Sequence, residues 1–299
     1  MVGPEARRAQ GAALSRAGRV GEAIFRRDGD AFVPTGHARG PWDPGQLHGG
    51  APGALIAEAV QADGYLVARL TIDFLAPVPL APVTVSARTT KPGRNVQLAE
   101  AEMEAEGRTV LRARAMRLRR GEVELPAAAG AAGAGRGRAA ETGRGRAAET
   151  GAAGATGAGP DTATPGRFPL DDGTGEGFHR TAMDIRFVEG DYGIGPAAAW
   201  FRLKLPLVDD QPASPLARVI AAADFGNGIS RVVDFGDYLF VNTDLTVHLH
   251  GEPQTEWVLV DASTRLEANG AGLARSTLSD ERGQIGLAAQ SLFVASRRT

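Results

Sequence analysis

The chain has 299 residues, 43% of them apolar, and a net charge of −2, so it can bury a core but lacks the basic excess of a nucleic-acid-binding protein. It contains no cysteine, which excludes disulfides, thiolate metal sites and a cysteine nucleophile. No apolar run approaches the roughly 20 residues that span a bilayer, and the start of the chain lacks a signal peptide's apolar segment, so we expect no membrane partner and a cytoplasmic location.

The first half of the chain predicts one helix followed by strands. Residues 1–24 have the composition of a flexible leader, and residues 30–35 predict a first short strand. A helix of small residues is predicted from Ala51 to about Ala62, and its small side chains allow a sheet to approach closely. Pro and Gly residues then separate four predicted strands, at 65–76, 82–91, 95–106 and 108–119.

Residues 126–177 separate the two halves. They consist almost entirely of Ala, Gly, Thr, Arg, Glu, Asp and Pro, and they contain GRGRAAET twice in succession, at 135–142 and 143–150. Such a composition buries too little apolar surface to offset the entropy of ordering the chain. We therefore expect a disordered linker between a domain at 25–125 and a domain at 178–299.

The second half repeats the order of the first. A helix is predicted from Ser214 to Asp224, where the glycine-rich sequence DFGNG ends it. A helix followed by four or five antiparallel strands, repeated once, predicts a fused pair of like units. The strands of this half are predicted at 178–187, 197–205, 238–250, 255–266, 270–280 and 284–296.

Four motifs in order carry a resemblance to a known family. They are LHGG at 47–50, LTIDFLAPV at 70–78, AADFG at 222–226 and NTDLTVHLH at 242–250. Over about 30–120 and 178–297 the chain resembles the double-hotdog acyl-CoA thioesterases of the type II medium-chain class. The resemblance implies an α+β tandem hotdog, each long helix wrapped by a curved antiparallel β-sheet. It also implies hydrolysis of medium- or long-chain fatty acyl-CoA to fatty acid and CoA by activated water, without a cofactor.

The resemblance also implies a set of catalytic residues. The family uses an Asp at the end of the second helix, a hydroxyl on the following strand and a Gln on the last strand to orient water. Asp224 and Gln290 match the first and third of these positions. Asn242 occupies the hydroxyl position, with Thr243 beside it, and this departs from the family pattern because an amide cannot relay a proton as a hydroxyl does.

The turn His48-Gly49-Gly50 is a candidate for substrate binding, because backbone N–H groups at the start of a helix attract anions and oxyanions. His48 itself is expected to pack in the turn rather than to act as a base. Glu58 on the same helix is expected to be a structural or solvated acid.

Alternative interpretations remain open at this stage. Asp224 could bond its own turn, and Gln290 could face outward. The chain could be a non-catalytic acyl-CoA or lipid-binding hotdog protein, or a hotdog-fold enoyl-CoA hydratase, a reaction that calls for an Asp–His pair. A metal site is not expected, because Asp244, His248 and His250 lack further ligands at a suitable spacing. Which repeat holds the site, and whether such units form homo-oligomers, is left open.

Overall fold

The computed structural model describes residues 22–124, 158–166, 175–209 and 211–297. The predicted leader, apart from its last three residues, and most of the predicted linker lie outside these ranges. No helix within the described ranges is long and apolar enough to cross a membrane.

The described residues form fourteen strands, three α-helices and two short helical turns, at Gly36–Ala38 and Phe178–Ala182. The helices are α1 (Gly50–Ala59), α2 (Pro215–Ala223) and α3 (Gly226–Ile229). The strands of the first half are β1 (Phe25–Asp28), β2 (Ala31–Pro34), β3 (Tyr65–Phe74), β4 (Val83–Lys91), β5 (Val96–Ala105) and β6 (Arg108–Arg119). Those of the second half are β7 (Thr164–Pro165), β8 (Met183–Glu189), β9 (Ala197–Leu203), β10 (Tyr238–Asn242), β11 (Asp244–Leu249), β12 (Val258–Leu266), β13 (Ala271–Asp280) and β14 (Gly283–Ser296).

All the strands belong to one antiparallel sheet. Its order is β1-β2-β4-β5-β6-β3-β11-β14-β13-β12-β9-β8-β7, and β10 pairs with β14. Strands β3 and β11 meet in the middle and join the two halves. The helices cover one face of this sheet, and the apolar core lies between the helices and the strands.

The two halves are related by an internal twofold symmetry centred on β3 and β11. Thr71 faces Thr246 across this pair, and the two hydroxyls lie 3.2 Å apart. Each threonine stands between two apolar residues, in Leu70-Thr71-Ile72 and in Leu245-Thr246-Val247. Because matching residues of the two repeats face each other, the repeat seen in the sequence is also a repeat in space.

Helices α1 and α2 pack against each other in antiparallel orientation. A Cβ added at Gly50 would lie 2.9 Å from the Ala221 carbonyl oxygen, and one added at Gly53 would lie 3.0 Å from Ile220 Cγ2. These two glycines therefore set the closeness of the helices. At the opposite end of the pair, the Ser214 N–H donates to Glu58 Oε1 at 2.7 Å, so a side chain of α1 caps the start of α2.

Three elements near the starts of the two halves differ from the sequence-based prediction. Strand β1 was not predicted, because Phe-Arg-Arg-Asp lacks an alternating pattern; it is anchored by fully buried Phe25, whose N–H donates to the Leu207 carbonyl at 2.9 Å. The strand predicted from Phe178 begins instead at Met183, after one helical turn. Residues 158–166, predicted as linker, contribute β7, which pairs with β8.

The strand predicted at 238–250 is broken at Thr243. The Thr243 N–H donates to the Ser291 carbonyl of β14 at 2.9 Å, whereas its carbonyl accepts from the Phe74 N–H of β3 at 2.9 Å. In a regular antiparallel strand both groups of a residue point to the same neighbour. The bend therefore separates β10 from β11, which turns the face of β10 toward the end of α2.

The contacts of Ser214 generate a stability prediction. Its Oγ accepts from the Ala217 N–H at 3.1 Å and from Gln61 Nε2 at 2.9 Å. Ser214→Ala is expected to lower the free energy of unfolding by about 1 kcal/mol, because the first turn of α2 loses its cap. Urea unfolding followed by circular dichroism measures this, with Ser291→Ala on the exposed face of β14 as the control. Equal effects of the two substitutions would contradict the capping role.

Candidate active site

Asp224 lies at the junction of the two halves. It is the C-cap residue of α2 and only 6% of it is exposed. A carboxylate is unfavourable at the negative end of its own helix. Here it faces the first residues of α1, since a Cβ added at Gly49 would lie 2.9 Å from Asp224 Oδ2. The positive end of one helix thus compensates for the negative end of the other.

Each oxygen of the Asp224 carboxylate has a side-chain partner. Asn242 Nδ2 donates to Oδ1 at 2.9 Å, and His48 Nδ1 lies 3.0 Å from Oδ2. The His48 contact requires a proton between the two atoms, because two lone pairs at this distance would repel. His48 and Asn242 therefore each hold one oxygen of the Asp224 carboxylate.

The ring of His48 is held in place by aromatic side chains. Its centroid lies 4.4 Å from that of Phe225 and 5.0 Å from that of Phe178. The Gly50 N–H also points at His48 Nδ1, at 3.1 Å. One nitrogen cannot accept from Gly50 and donate to Asp224 at once, so these two contacts are alternatives. The imidazole is thus fixed in position between the Asp224 carboxylate and the start of α1.

Gln290 holds the backbone around Asp224 rather than its carboxylate. It is 2% exposed; its Oε1 accepts from the Asn227 N–H at 3.0 Å, and its Nε2 donates to the Asp224 carbonyl at 3.3 Å. A Cβ at Gly226 would lie 3.0 Å from the same Oε1, so only glycine fits between α2 and this amide. Gln290 therefore fixes the position of the end of α2.

The structure brings together most, but not all, of the candidates from the sequence. Thr243 stays outside the cluster: it is exposed, and its hydroxyl donates to the Ser291 carbonyl at 3.2 Å. Glu58 lies at the opposite end of the helix pair, where it caps α2. The residues brought together are Asp224, Asn242, Gln290, His48, Gly49 and Gly50.

The position related by the internal symmetry lacks the counterparts of Asp224, Asn242 and Gln290. Val60, the C-cap of α1, corresponds to Asp224, and Ala115 corresponds to Gln290 by strand register. Val67 corresponds to Asn242, because each lies four residues before its threonine, Thr71 or Thr246. Acid, amide and imidazole therefore meet at only one of the two equivalent positions.

A buried arginine fills this second position. Arg117 is 5% exposed, and its Nε donates to the Val60 carbonyl at 2.7 Å, so it caps the C-terminal end of α1. Its Nη1 lies 3.0 Å from Thr89 Oγ1 and 3.3 Å from Gln97 Oε1. Burial lowers the pKa of the Arg117 guanidinium below its ordinary value. These bonds give Arg117 a structural role.

The cluster has the groups for acid–base chemistry on water. Within the described ranges no three His, Asp or Glu side chains are grouped as metal ligands. The Asp224 carboxylate is in hydrogen-bond contact with His48, and the backbone at the start of α1 supplies N–H groups at the positive end of a helix dipole. This combination suits the activation of a water molecule beside a carbonyl group.

The contact between His48 and Asp224 was missed by sequence reasoning, which treated His48 as a packing residue. The two residues belong to different repeats and are far apart in the chain. The repeat in the sequence could have predicted this contact. In a fused pair with antiparallel helices, the N-terminus of one helix lies beside the C-terminus of the other.

The fold is of the hotdog type, and its candidate site combines a carboxylate, an amide and an imidazole. Residues 38–118 match the family model of the acyl-CoA thioesterase N-terminal domain, and residues 159–294 match that of the acyl-CoA thioesterase C-terminal domain. The two matches together cover more than two thirds of the chain. The chain therefore belongs to the acyl-CoA thioesterase family, whose members are thioester hydrolases. No curated protein sequence matches the chain.

Solved structures share the fold. A candidate thioesterase from Novosphingobium aromaticivorans is 22% identical, with a TM-score of 0.62 over 90% of this chain and 98% of its own. A protein of unknown function with a hot dog fold from Alicyclobacillus acidocaldarius is 15% identical, with a TM-score of 0.60 over 91% and 95%. The acyl-CoA thioesterase II TesB2 from Mycobacterium marinum is 15% identical, with a TM-score of 0.56 over 96% and 98%.

Gly49 generates a prediction on the geometry of this site. A Cβ at Gly49 would approach both Asp224 oxygens, at 2.9 and 3.0 Å, and Phe74 Cε1 at 3.1 Å. Gly49→Ala is therefore expected to displace the carboxylate and to lower kcat for thioester hydrolysis about 10-fold or more. Release of free thiol measures this. Gly251→Ala is the control, because a Cβ there meets nothing within 4 Å. Unchanged turnover in Gly49→Ala would contradict the close contact.

Proposed function

We propose that the chain hydrolyses medium- or long-chain fatty acyl-CoA to free fatty acid and CoA at the Asp224 cluster. The observation that carries this proposal is the Asp224 carboxylate, held by Asn242 on one oxygen and by His48 on the other. It lies at the start of α1, where an oxyanion is stabilised. We also propose that the two halves are two hotdog domains fused into one pseudo-dimer, which the Thr71–Thr246 symmetry supports.

In the proposed mechanism Asp224 is the general base. The ionised carboxylate, hydrogen-bonded by His48 Nδ1–H and Asn242, takes a proton from a water molecule as the water oxygen attacks the thioester carbonyl. The carbonyl π electrons move to oxygen, and N–H groups at the start of α1, Gly49 among them, stabilise the oxyanion. The oxyanion then collapses, the C–S bond breaks, and the CoA thiolate leaves with the proton from Asp224. The products are the carboxylic acid and the CoA thiol.

Asn242, Gln290 and His48 act through Asp224 in this mechanism. Asn242 replaces the hydroxyl expected from the family pattern and supplies a donor without a transferable proton. Gln290 is a positioning residue, because its amide holds the Asp224 backbone. His48 orients the carboxylate through its Nδ1 contact with Oδ2.

The acyl tail is proposed to lie along the apolar interior between helix and sheet. A cavity of about 280 Å³ beside the C-terminal half of α1 supports this, since Phe32, Leu55, Val85 and Leu207 are among its lining residues. A larger cavity, of about 540 Å³, lies on the outer face of the sheet. Salt bridges between Arg88 and Glu100 and between Arg112 and Glu102 line it, so it is less suited to an acyl chain.

Asp224→Asn tests the proposed base. This substitution keeps the size of the side chain but removes the proton acceptor, so kcat on fatty acyl-CoA is expected to fall about 100-fold or more. Free thiol release from saturated acyl-CoAs of increasing chain length measures this. Glu58→Gln is the matched control, because Glu58 is an acid of the same helix pair that caps α2; its turnover is expected to persist.

Three results would contradict the proposal in different ways. Full activity of Asp224→Asn would show that Asp224 is not the base. Binding of acyl-CoA by the wild type without thiol release would indicate a binding protein. Because the Asp224–His48 pair also suits addition of water to a double bond, an enoyl-CoA belongs in the panel, and loss of its absorbance without thiol release would indicate a hydratase.

Asn242 and Thr243 generate a paired prediction. Asn242→Ala removes the 2.9 Å donor to Asp224 Oδ1 and is expected to lower kcat about 10-fold, as for the loss of a hydrogen bond to a charged group. Thr243→Val is expected to leave kcat unchanged, because the Thr243 hydroxyl bonds the Ser291 carbonyl instead. Steady-state kinetics of both variants measures this. A lower kcat in Thr243→Val than in Asn242→Ala would contradict the assignment of Asn242.

A further inference from the structure

An exposed tryptophan stands beside the Asp224 cluster. Trp42 is 37% exposed and belongs to the loop 39–47 that leads directly into His48. The loop is closed at its base, where the Gly40 N–H donates to the Gln46 carbonyl at 2.8 Å. The indole therefore has a fixed place at the surface, and the loop that holds it also positions His48.

The indole packs on residues of the second half. Its ring centroid lies 5.1 Å from that of Phe235 and 5.5 Å from that of Phe240, in edge contacts. Phe240 stands two residues before Asn242 on β10. Since alternate residues share a face of a strand, Tyr238, Phe240 and Asn242 form one row. This row runs from the Asp224 carboxylate to the surface, where Tyr238 is 39% exposed.

An arginine completes the outer end of this row. The guanidinium carbon of Arg297 lies over the Trp42 ring, 5.9 Å from its centroid. Arg297 Nε donates to the Tyr238 carbonyl at 3.3 Å, which ties the side chain to β10. A guanidinium has five N–H donors, and this bond takes one of them. An exposed aromatic face and an exposed cation thus stand side by side.

Two of the acids nearby are engaged in turns. Asp43 Oδ1 accepts from the Gly45 N–H at 2.7 Å, and Asp234 Oδ1 accepts from the Gly236 N–H at 2.8 Å. Asp234 Oδ2 also lies 3.5 Å from Arg231 Nη1. These carboxylates bond within the two loops that meet at Trp42. Arg297, in contrast, lies over the Trp42 ring.

We propose that Trp42, Tyr238 and Arg297 bind the nucleotide end of CoA, with adenine stacked on the exposed aromatic surface and a phosphate on the guanidinium. This inference rests on the proposed function, since it assigns the outer part of the same substrate. The strand rises about 13 Å over the four residue steps from Asn242 to Tyr238. That distance is comparable with the pantetheine arm that joins the thioester to the nucleotide of CoA.

The test compares two thioesters of the same acyl group, one on CoA and one on pantetheine, which lacks the nucleotide. Trp42→Ala is expected to raise KM for the CoA thioester about 5-fold or more, from the loss of base stacking, with kcat unchanged. Kinetics on the pantetheine thioester are expected to stay as in the wild type. Arg297→Ala is expected to raise KM for the CoA thioester only.

Two further variants separate recognition from packing. Trp42→Phe keeps an aromatic face and is expected to restore most of the affinity for the CoA thioester. Arg265→Ala removes another exposed arginine, which pairs with Glu267, and is expected to leave KM for both thioesters unchanged. Equal losses on both thioesters in Trp42→Ala would mean that Trp42 only packs the loop, and an unchanged KM for the CoA thioester would likewise overturn the inference.

Failure of the proposed function would be distinguishable from failure of this inference. If the wild type hydrolysed neither thioester, the proposed function would fall. Calorimetry of free CoA binding would then test the nucleotide site independently of hydrolysis. Weaker binding of CoA by Trp42→Ala than by Trp42→Phe would support the nucleotide site, and equal binding would overturn it.

Discussion

The close antiparallel contact of α1 and α2 is the constraint on which the rest of the structure depends. Gly50 and Gly53 let the two helices approach, so that a carboxylate at the C-terminal end of α2 meets the N-terminal end of α1. Asp224 is unfavourable for its own helix and favourable for the neighbouring one. The site therefore belongs to neither half alone: His48 comes from the first repeat, and Asn242 and Gln290 come from the second.

Much of the fold could be predicted from the sequence, because the repeat and the alternating strands are local patterns. The helix of small residues, the four strands after it and their recurrence in the second half are all found in the structure. The errors have physical causes. Strand β1 is polar after its first residue, Phe25, and is fixed by contact with the second half. The bend at Thr243 arises because its N–H bonds one neighbouring strand and its carbonyl bonds the other. Both depend on contacts distant in sequence.

The candidate site was predictable in its residues but not in their partnerships. Asp224 and Gln290 stood out as polar side chains in apolar segments, a local inconsistency that marks functional positions. Gln290 was expected to orient water, whereas its amide bonds the backbone of α2. His48 was expected to pack in its turn; it packs between two phenylalanine rings, and it also contacts the Asp224 carboxylate, which was not expected. Which atom a side chain bonds is decided by the packing of the two halves, and no pattern within one half contains that information.

The two symmetry-related positions show how a duplicated fold becomes asymmetric. A C-terminal helix end leaves carbonyl groups without partners, and both helices must satisfy them. At the end of α1, Arg117 supplies a cation that suits the negative helix end. At the end of α2, Asp224 worsens the local electrostatics and is tolerated through Gln290 and the start of α1. Arg117 stabilises the end of α1, whereas Asp224 lowers the stability of the end of α2 and places a carboxylate in the candidate site. One such carboxylate suffices for a site, so the second helix end is free to take the stable form.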